Sequence, residues 1–114
     1  MKTSKWTGKY HVLSTAHITE EDDKALHYVV NMHGVISLFS MSVYAKEGGW
    51  IIMFTDGLKD PSDIRRKMDQ DCARFGLNGP VWQRLITYAA GNRCSMLILD
   101  RDAEMLDGMD IFEW

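Results

Sequence analysis

The sequence predicts an α+β fold, a two-layer sandwich in which helices pack on a mainly antiparallel sheet. Two observations support this fold class. Apolar residues alternate along some stretches and recur every three or four residues along others, in the order β-α-β-β-α-α-β with an optional last strand. The short KEGG connection at residues 46–49 joins two strands so tightly that they must be antiparallel. With 114 residues, the chain is expected to form a single domain over 1–114.

A strand and a well-marked helix open the chain. Residues 9–17 contain β-favouring side chains and predict the first strand. Thr19 is a candidate N-cap, and Asp22, three residues later, completes a capping box. The acids at 20–23 lie in the first turn, where the helix dipole favours negative charge, and Gly34 ends the predicted helix.

The centre of the predicted sheet is a hairpin. Residues 35–45 have apolar side chains on both faces, which predicts a strand in a sheet that is buried on both sides. Residues 49–55 predict its antiparallel partner across the KEGG turn.

Two helices follow the hairpin. Asp60, which precedes a proline, is a candidate N-cap, and Gly76 ends this second helix. The third helix is predicted to begin at Pro80 or Val81 and to end near Gly91.

The end of the chain combines a strand with bulky apolar residues. Residues 95–100 predict the last firm strand, and residues 107–114 predict an optional edge strand. Ile111, Phe112 and Trp114 stand where chains usually fray, so they are either docked on the core or offered to a partner. We predict that they cover the sheet edge or the helix layer.

The composition, 46% hydrophobic and 25% charged, is that of a soluble globular protein, and no apolar run approaches the roughly 18 residues of a membrane helix. No apolar region follows the N-terminal lysines, so we expect no secretory signal and a cytoplasmic location. Cys72 and Cys94 are expected to be reduced and buried.

The charge is unevenly distributed. The net charge of −3 identifies neither a nucleic-acid binder nor a nucleic-acid mimic. Residues 100–114, however, contain six acids and one arginine, whereas residues 1–19 contain three lysines and no acid. The two ends either attract each other, bind separate partners or are solvated surfaces.

The histidines show no metal-binding pattern. None of the four has a second histidine or a cysteine at the spacing of a zinc site, so we predict no metal and no cofactor. His17 stands at the junction between the first strand and the first helix. We interpret it as a residue that hydrogen-bonds the loop and orders the first helical turn.

Two chemical alternatives remain open. Asp100 and Asp102, two apart at the end of a strand, could hold Mg²⁺ beside His17, as in a metal-dependent nuclease or hydrolase. The N-terminal lysines and the basic stretch at 65–67 could contact nucleic acid, but interspersed acids argue against direct binding. No nucleophile motif is present, so we assign no catalytic residue and favour a protein that is not an enzyme.

Both ends of the chain resemble one family. LSTAHITEEDDKAL at 13–26 and LILDRDAEMLDGMDIFEW at 97–114 are similar to the opening and closing signatures of short bacterial proteins of unknown function. Plasmids, phages and integrative elements carry that family. Its closing pattern resembles LDRD…DGLP.F.W, and this chain has Met109 and Asp110 in place of Leu-Pro.

The resemblance implies a protein of a mobile element, and small proteins of that kind often inhibit host defence. We therefore expect an anti-CRISPR or antirestriction protein that binds a CRISPR effector or a restriction nuclease and does not bind membranes. The alternative is an accessory protein that self-associates, for example as a homodimer. The acidic end would compete for a basic surface of the partner. The expected partner-binding residues are Asp100, Asp102, Glu104, Asp107, Asp110 and Trp114.

Overall fold

The computed structural model describes residues 10–33, 36–55 and 59–114, which form three helices and a five-stranded mixed sheet. The predicted α+β fold class is confirmed. In chain order the elements are β1 (Tyr10–Ser14), α1 (Glu20–His33), β2 (Ile36–Ser37), β3 (Met41–Lys46), β4 (Gly49–Phe54), α2 (Pro61–Phe75), α3 (Gly79–Gly91) and β5 (Met96–Asp100), with a short 3₁₀ helix at Thr15–His17.

The sheet has the strand order β1-β5-β4-β3-β2. The edge strand β1 is parallel to β5, and the other neighbours are antiparallel. The hairpin of β3 and β4 therefore includes the central strand, as predicted. Gly48 in its turn has a φ of 77°, which glycine adopts without strain. A Cβ on Gly49 would lie 1.7 Å from the Leu99 carbonyl oxygen, so no side chain fits there.

The capping box predicted for α1 is present. The Thr19 backbone N–H donates to the Asp22 carboxylate at 2.9 Å, and the Asp22 N–H donates to the Thr19 hydroxyl at 3.0 Å. Asp22 is fully buried, and its second oxygen accepts from the Asn78 N–H at 2.7 Å. One aspartate thus ties the start of α1 to the start of α3.

Residues within one turn also determine the other described helix ends. The Asp60 side chain caps the first turn of α2, and Gly76, in the left-handed conformation, ends it. The third helix begins slightly before the predicted Pro80, because the Asn78 side chain caps its first turn.

The strand predicted over 35–45 is divided, and Val35 lies outside the described residues. A bend at 38–40 separates β2 from β3. The buried carboxylate of Asp71 on α2 accepts from the N–H groups of Phe39 and Ser40 at 3.1 and 2.8 Å, and from the Ser40 hydroxyl at 2.5 Å. These three bonds hold the bend, which the apolar pattern did not predict.

The first strand is shorter than predicted. It ends at Ser14, whose hydroxyl accepts from the Ala16 N–H at 3.0 Å and caps the 3₁₀ helix. Residues 15–17 therefore turn toward α1 instead of extending the sheet.

On β3, Met41 and Val43 are buried, whereas Ser42 and Tyr44 are only half-buried, so the expectation of a strand buried on both sides does not hold there. One face of the sheet is fully buried. Alternate strand residues point to that face and are at most 2% exposed: Leu13, Met41, Val43, Trp50, Ile52, Phe54, Leu97 and Leu99. On the other face, Tyr10 is 54% and Val12 47% exposed. An apolar pattern on both sides of a strand does not specify what covers each side.

The two cysteines, Cys72 and Cys94, are unbridged and buried, as expected. Burial raises the pKa of the Cys72 thiol to about 12, with a further contribution from neighbouring aspartates. This thiol belongs to the hydrophobic core.

Candidate interaction surface at the C-terminal segment

Residues 101–114, here called the C-terminal segment, follow β5 without forming a helix or a strand. The optional edge strand at 107–114 is therefore a wrong prediction. The backbone turns after Asp100 and again at Gly108, whose φ is 84°. Two backbone hydrogen bonds join the segment to distant parts of the chain: the Arg101 N–H donates to the Gly48 carbonyl of the hairpin turn at 2.9 Å, and the Phe112 N–H donates to the Ala16 carbonyl of the 3₁₀ helix at 2.8 Å.

The C-terminal segment is docked on the core, but only some of its apolar side chains are covered. Leu106, Met109 and Phe112 are partly buried and pack against core residues. Ile111 is 51% and Trp114 50% exposed. The predicted docking thus holds for Phe112, whereas Ile111 and Trp114 keep about half of their surface in solvent.

His17 holds this segment in place. The ring is 2% exposed, its Nδ1 lies 2.8 Å from the Asp110 carbonyl oxygen, and its Nε2 lies 2.9 Å from the Leu106 backbone nitrogen. A carbonyl only accepts and an N–H only donates, so the neutral tautomer with hydrogen on Nδ1 satisfies both contacts. The sequence interpretation, in which His17 hydrogen-bonds the loop before α1, is therefore wrong. Both bonds join His17 to the C-terminal segment.

The indole of Trp114 provides a further attachment. Its Nε1 donates to the Ile18 carbonyl at 3.0 Å. Residues 16–18 therefore fix the C-terminal segment through hydrogen bonds at four points, which are Leu106, Asp110, Phe112 and Trp114.

Two of the predicted partner-binding acids form ion pairs with other residues of this protein. Asp100 forms an ion pair with Lys46 at 2.8 Å and accepts from the Asp102 N–H at 2.8 Å. The hydrogen bond from Lys46, followed by that from Asp102, lowers the pKa of the Asp100 carboxyl. Asp110 pairs with Arg84 of α3 at 3.0 Å.

The remaining acids of the segment are exposed. No ion pair within the described residues involves any of the four, which are Asp102, Glu104, Asp107 and Glu113. Met105, at 55% exposure, adds to the half-exposed Ile111 and Trp114. The segment therefore presents unpaired negative charge together with apolar side chains.

Sequence reasoning had identified the acids but not their internal partners. Lys46 and Arg84 lie far from Asp100 and Asp110 along the chain, so no local spacing indicates these pairs. Met105 had also been missed, although an apolar residue between acids on a segment of irregular structure is a usable indication of exposure.

The geometry gives little support to the two chemical alternatives. Both ring nitrogens of His17 are bonded to backbone groups, and Asp100 is paired with Lys46, so neither is free to act on a bound water. Within residues 10–33, 36–55 and 59–114, no three His, Cys, Asp or Glu side chains could hold a metal ion.

The basic stretch at 65–67 is largely engaged on its own helix and with α3. Arg66 and Lys67 both pair with Asp63, and Arg65 donates to the Thr87 hydroxyl at 3.2 Å. The N-terminal lysines lie outside the described residues. Among the helices that the structure describes, none has the length and apolarity to cross a membrane.

The architecture is thus a helix-and-sheet domain with an irregular acidic C-terminal segment that is hydrogen-bonded to residues 16–18. Residues 10–114 match the C-terminal domain of a family of unknown function, DUF5983, and the chain belongs to this family. No curated protein and no solved structure matches it.

Proposed function

We propose that this protein is a non-enzymatic binding protein of a mobile element, which inhibits a defence complex of its bacterial host through the C-terminal segment. The complex is a CRISPR effector or a restriction nuclease. The supporting observation is that the backbone of the segment is fixed by hydrogen bonds while four of its acids are exposed and unpaired within the described residues. The mobile-element context comes from the resemblance of both chain ends.

A fixed backbone favours recognition, because a segment that is already ordered loses little conformational entropy on binding. Unpaired carboxylates attract a Lys/Arg surface of the kind that normally holds nucleic acid, and they increase the rate and specificity of association more than the affinity. The proposed mechanism is therefore competition with nucleic acid for a basic groove.

The apolar residues supply the second component of an interface. Aromatic and methionine side chains are enriched in interface cores, where a few of them carry most of the binding energy. Met105, Ile111 and Trp114 are exposed beside the acids, so they are the proposed anchors. Asp100 and Asp110 act indirectly in this proposal, since their ion pairs hold the segment.

The first experiment is an affinity pull-down from bacterial lysate with the tagged protein, at low and moderate salt, read by mass spectrometry. We expect capture of a nucleic-acid-binding nuclease complex that decreases at moderate salt, because exposed ion pairs are screened. The purified complex is then tested with the Asp107→Lys variant. The matched control is Glu21→Lys, the same charge change at an exposed acid on α1.

The proposal requires Asp107→Lys to weaken binding and to restore nuclease activity while Glu21→Lys does neither. Asp107→Lys should keep the wild-type melting temperature, whereas Glu21→Lys should lower it slightly, because it places a positive charge in the first turn of α1. Equal effects of the two variants would mean that only net charge matters and would contradict the proposal. Recovery of the protein alone at both salt concentrations would contradict it for the host tested.

A second candidate, a self-associating accessory protein, is supported by the less buried face of the sheet. Val12, Ile98, Ile51 and Tyr44 are neighbours in register across four strands on that face. Light scattering over a dilution series tests it: a mass that falls from dimer to monomer supports self-association, and a monomer throughout removes this candidate.

A further inference from the structure

A cleft of about 310 Å³ lies between α1, the β3–β4 turn and the C-terminal segment. This volume is at the lower end of the range of about 300–1,000 Å³ that is typical of small-molecule sites. Residues from four parts of the chain line it, among them Asp23, His27, Lys46, Trp50, Arg101 and Trp114.

Arg101 is held at the cleft by the hairpin turn. Its backbone N–H donates to the Gly48 carbonyl at 2.9 Å. Its side chain lies along the same glycine, because an added Cβ on Gly48 would be 3.5 Å from Arg101 Nε and 3.6 Å from Cγ. The turn therefore packs against the aliphatic part of the Arg101 side chain, and the residue remains exposed.

The guanidinium of Arg101 has no carboxylate partner within 4.0 Å among the described residues. The nearby Lys46 differs, since its ammonium is paired with Asp100 at 2.8 Å. Arg101 thus brings to the lining of the cleft a guanidinium that interacts with Asp100 only at longer range.

The carboxylate of the cleft is already engaged. Asp23 accepts from the Trp50 indole N–H at 2.9 Å, and its other oxygen lies 3.4 Å from Nε2 of His27. The His27 ring packs edge-on against Trp50, with 4.7 Å between the ring centroids. These contacts fix the α1 wall, and Arg101 remains as a charged group of the cleft that has no ion-pair partner among the described residues.

Trp114 provides an aromatic wall. Its indole N–H is bonded to Ile18, which restrains the ring, while half of the residue's surface stays exposed. A restrained, half-exposed indole is suited to stacking against a flat ring.

We propose that this cleft binds a small planar anion, an aromatic ring that stacks on Trp114 and carries a carboxylate or a phosphate that pairs with Arg101. The planar fork of arginine binds both anions in a bidentate manner, and such charge-assisted bonds are among the strongest in proteins. The cleft shares Trp114 with the surface proposed to bind the defence partner, but ligand binding is measured on the protein alone, so it can be tested without that partner.

The test is titration calorimetry of the full chain with two probes and their neutral analogues. Indole-3-acetate and indole represent the aromatic carboxylate, and adenosine monophosphate and adenosine represent the mononucleotide. We expect saturable binding of one anionic probe, with its neutral analogue and the Arg101→Gln variant each roughly tenfold weaker or more. The control Arg74→Gln removes the same charge at the end of α2 and should bind like the wild type.

Binding of the carboxylate probe alone or of the nucleotide alone identifies the source of the anion. The Trp114→Ala variant should weaken binding of every aromatic probe, and Trp114→Phe, which keeps a ring that can stack, should weaken it less. Absence of saturable binding of both probes at millimolar concentration would overturn the proposal. So would an equal loss in Arg101→Gln and Arg74→Gln, or equal binding of the neutral analogues. None of these results depends on the pull-down, so the two proposals fail separately.

Discussion

The helix-and-sheet core and the C-terminal segment are both ordered, but different interactions order them. In the core, large side chains such as Trp50, Ile52 and Leu85 are at most 1% exposed, and burial of apolar surface provides the stability. The segment has no regular structure and is held mainly by hydrogen bonds to residues 16–18 and by a few partly buried side chains. The second arrangement fixes a backbone while leaving many side chains exposed, which is what a recognition surface needs.

The largest effect is expected in the core. Leu85→Ala on α3 removes a fully buried side chain and should lower the free energy of unfolding by about 2–5 kcal/mol. Ile111→Ala, in the C-terminal segment at 51% exposure, should change it by at most about 0.5 kcal/mol. Urea unfolding measures both. Similar losses for the two variants would mean that the segment is part of the core, and the distinction between the regions would be lost.

An intermediate effect is expected at His17, where the two regions meet. His17→Ala leaves the Leu106 N–H and the Asp110 carbonyl without their partner and should cost about 1–3 kcal/mol. It should also release the segment, so limited proteolysis should cut after residue 100 faster than in the wild type. His11→Ala, which removes one bond to the Tyr88 hydroxyl, is the control. Unchanged proteolysis in His17→Ala would show that the other attachments suffice.

The difference between the regions also explains what the sequence could predict. Helix ends depend on residues within one turn, so Thr19, Asp60 and Gly76 were sufficient to place them. The bend held by Asp71 and the attachment held by His17 join residues far apart along the chain, and no local pattern encodes them. The core and its capping were therefore predictable, whereas the docking of the C-terminal segment was predictable only as one of two possibilities.

The same limit applies to the candidate surface. Composition identified an acidic end, but summing charges treats Asp100 and Asp107 as equivalent. The structure distinguishes them, because Asp100 is paired with Lys46 while Asp107 is exposed and has no ion pair within the described residues. The strand register sets the partner of Asp100, because Gly49 stands between Lys46 and Asp100 across three strands, and this register was known only after the fold.

The smallest effect is expected from the Lys46–Asp100 pair, whose side chains are 27% and 28% exposed. The hydrogen bond from Lys46 lowers the pKa of Asp100 below its ordinary value, so this contribution to stability is complete above that value and is lost as the pH falls through the lowered pKa. Asp100→Asn should therefore lower the melting temperature slightly at neutral pH, and the gap to the wild type should close in acid. Lys46→Gln should reproduce the same pH dependence, and the double variant should add nothing, since both changes remove one interaction. A gap that persists in acid would show that the effect of Asp100→Asn does not come from the ionised carboxylate, and it would contradict the assignment of this stability to the Lys46–Asp100 pair.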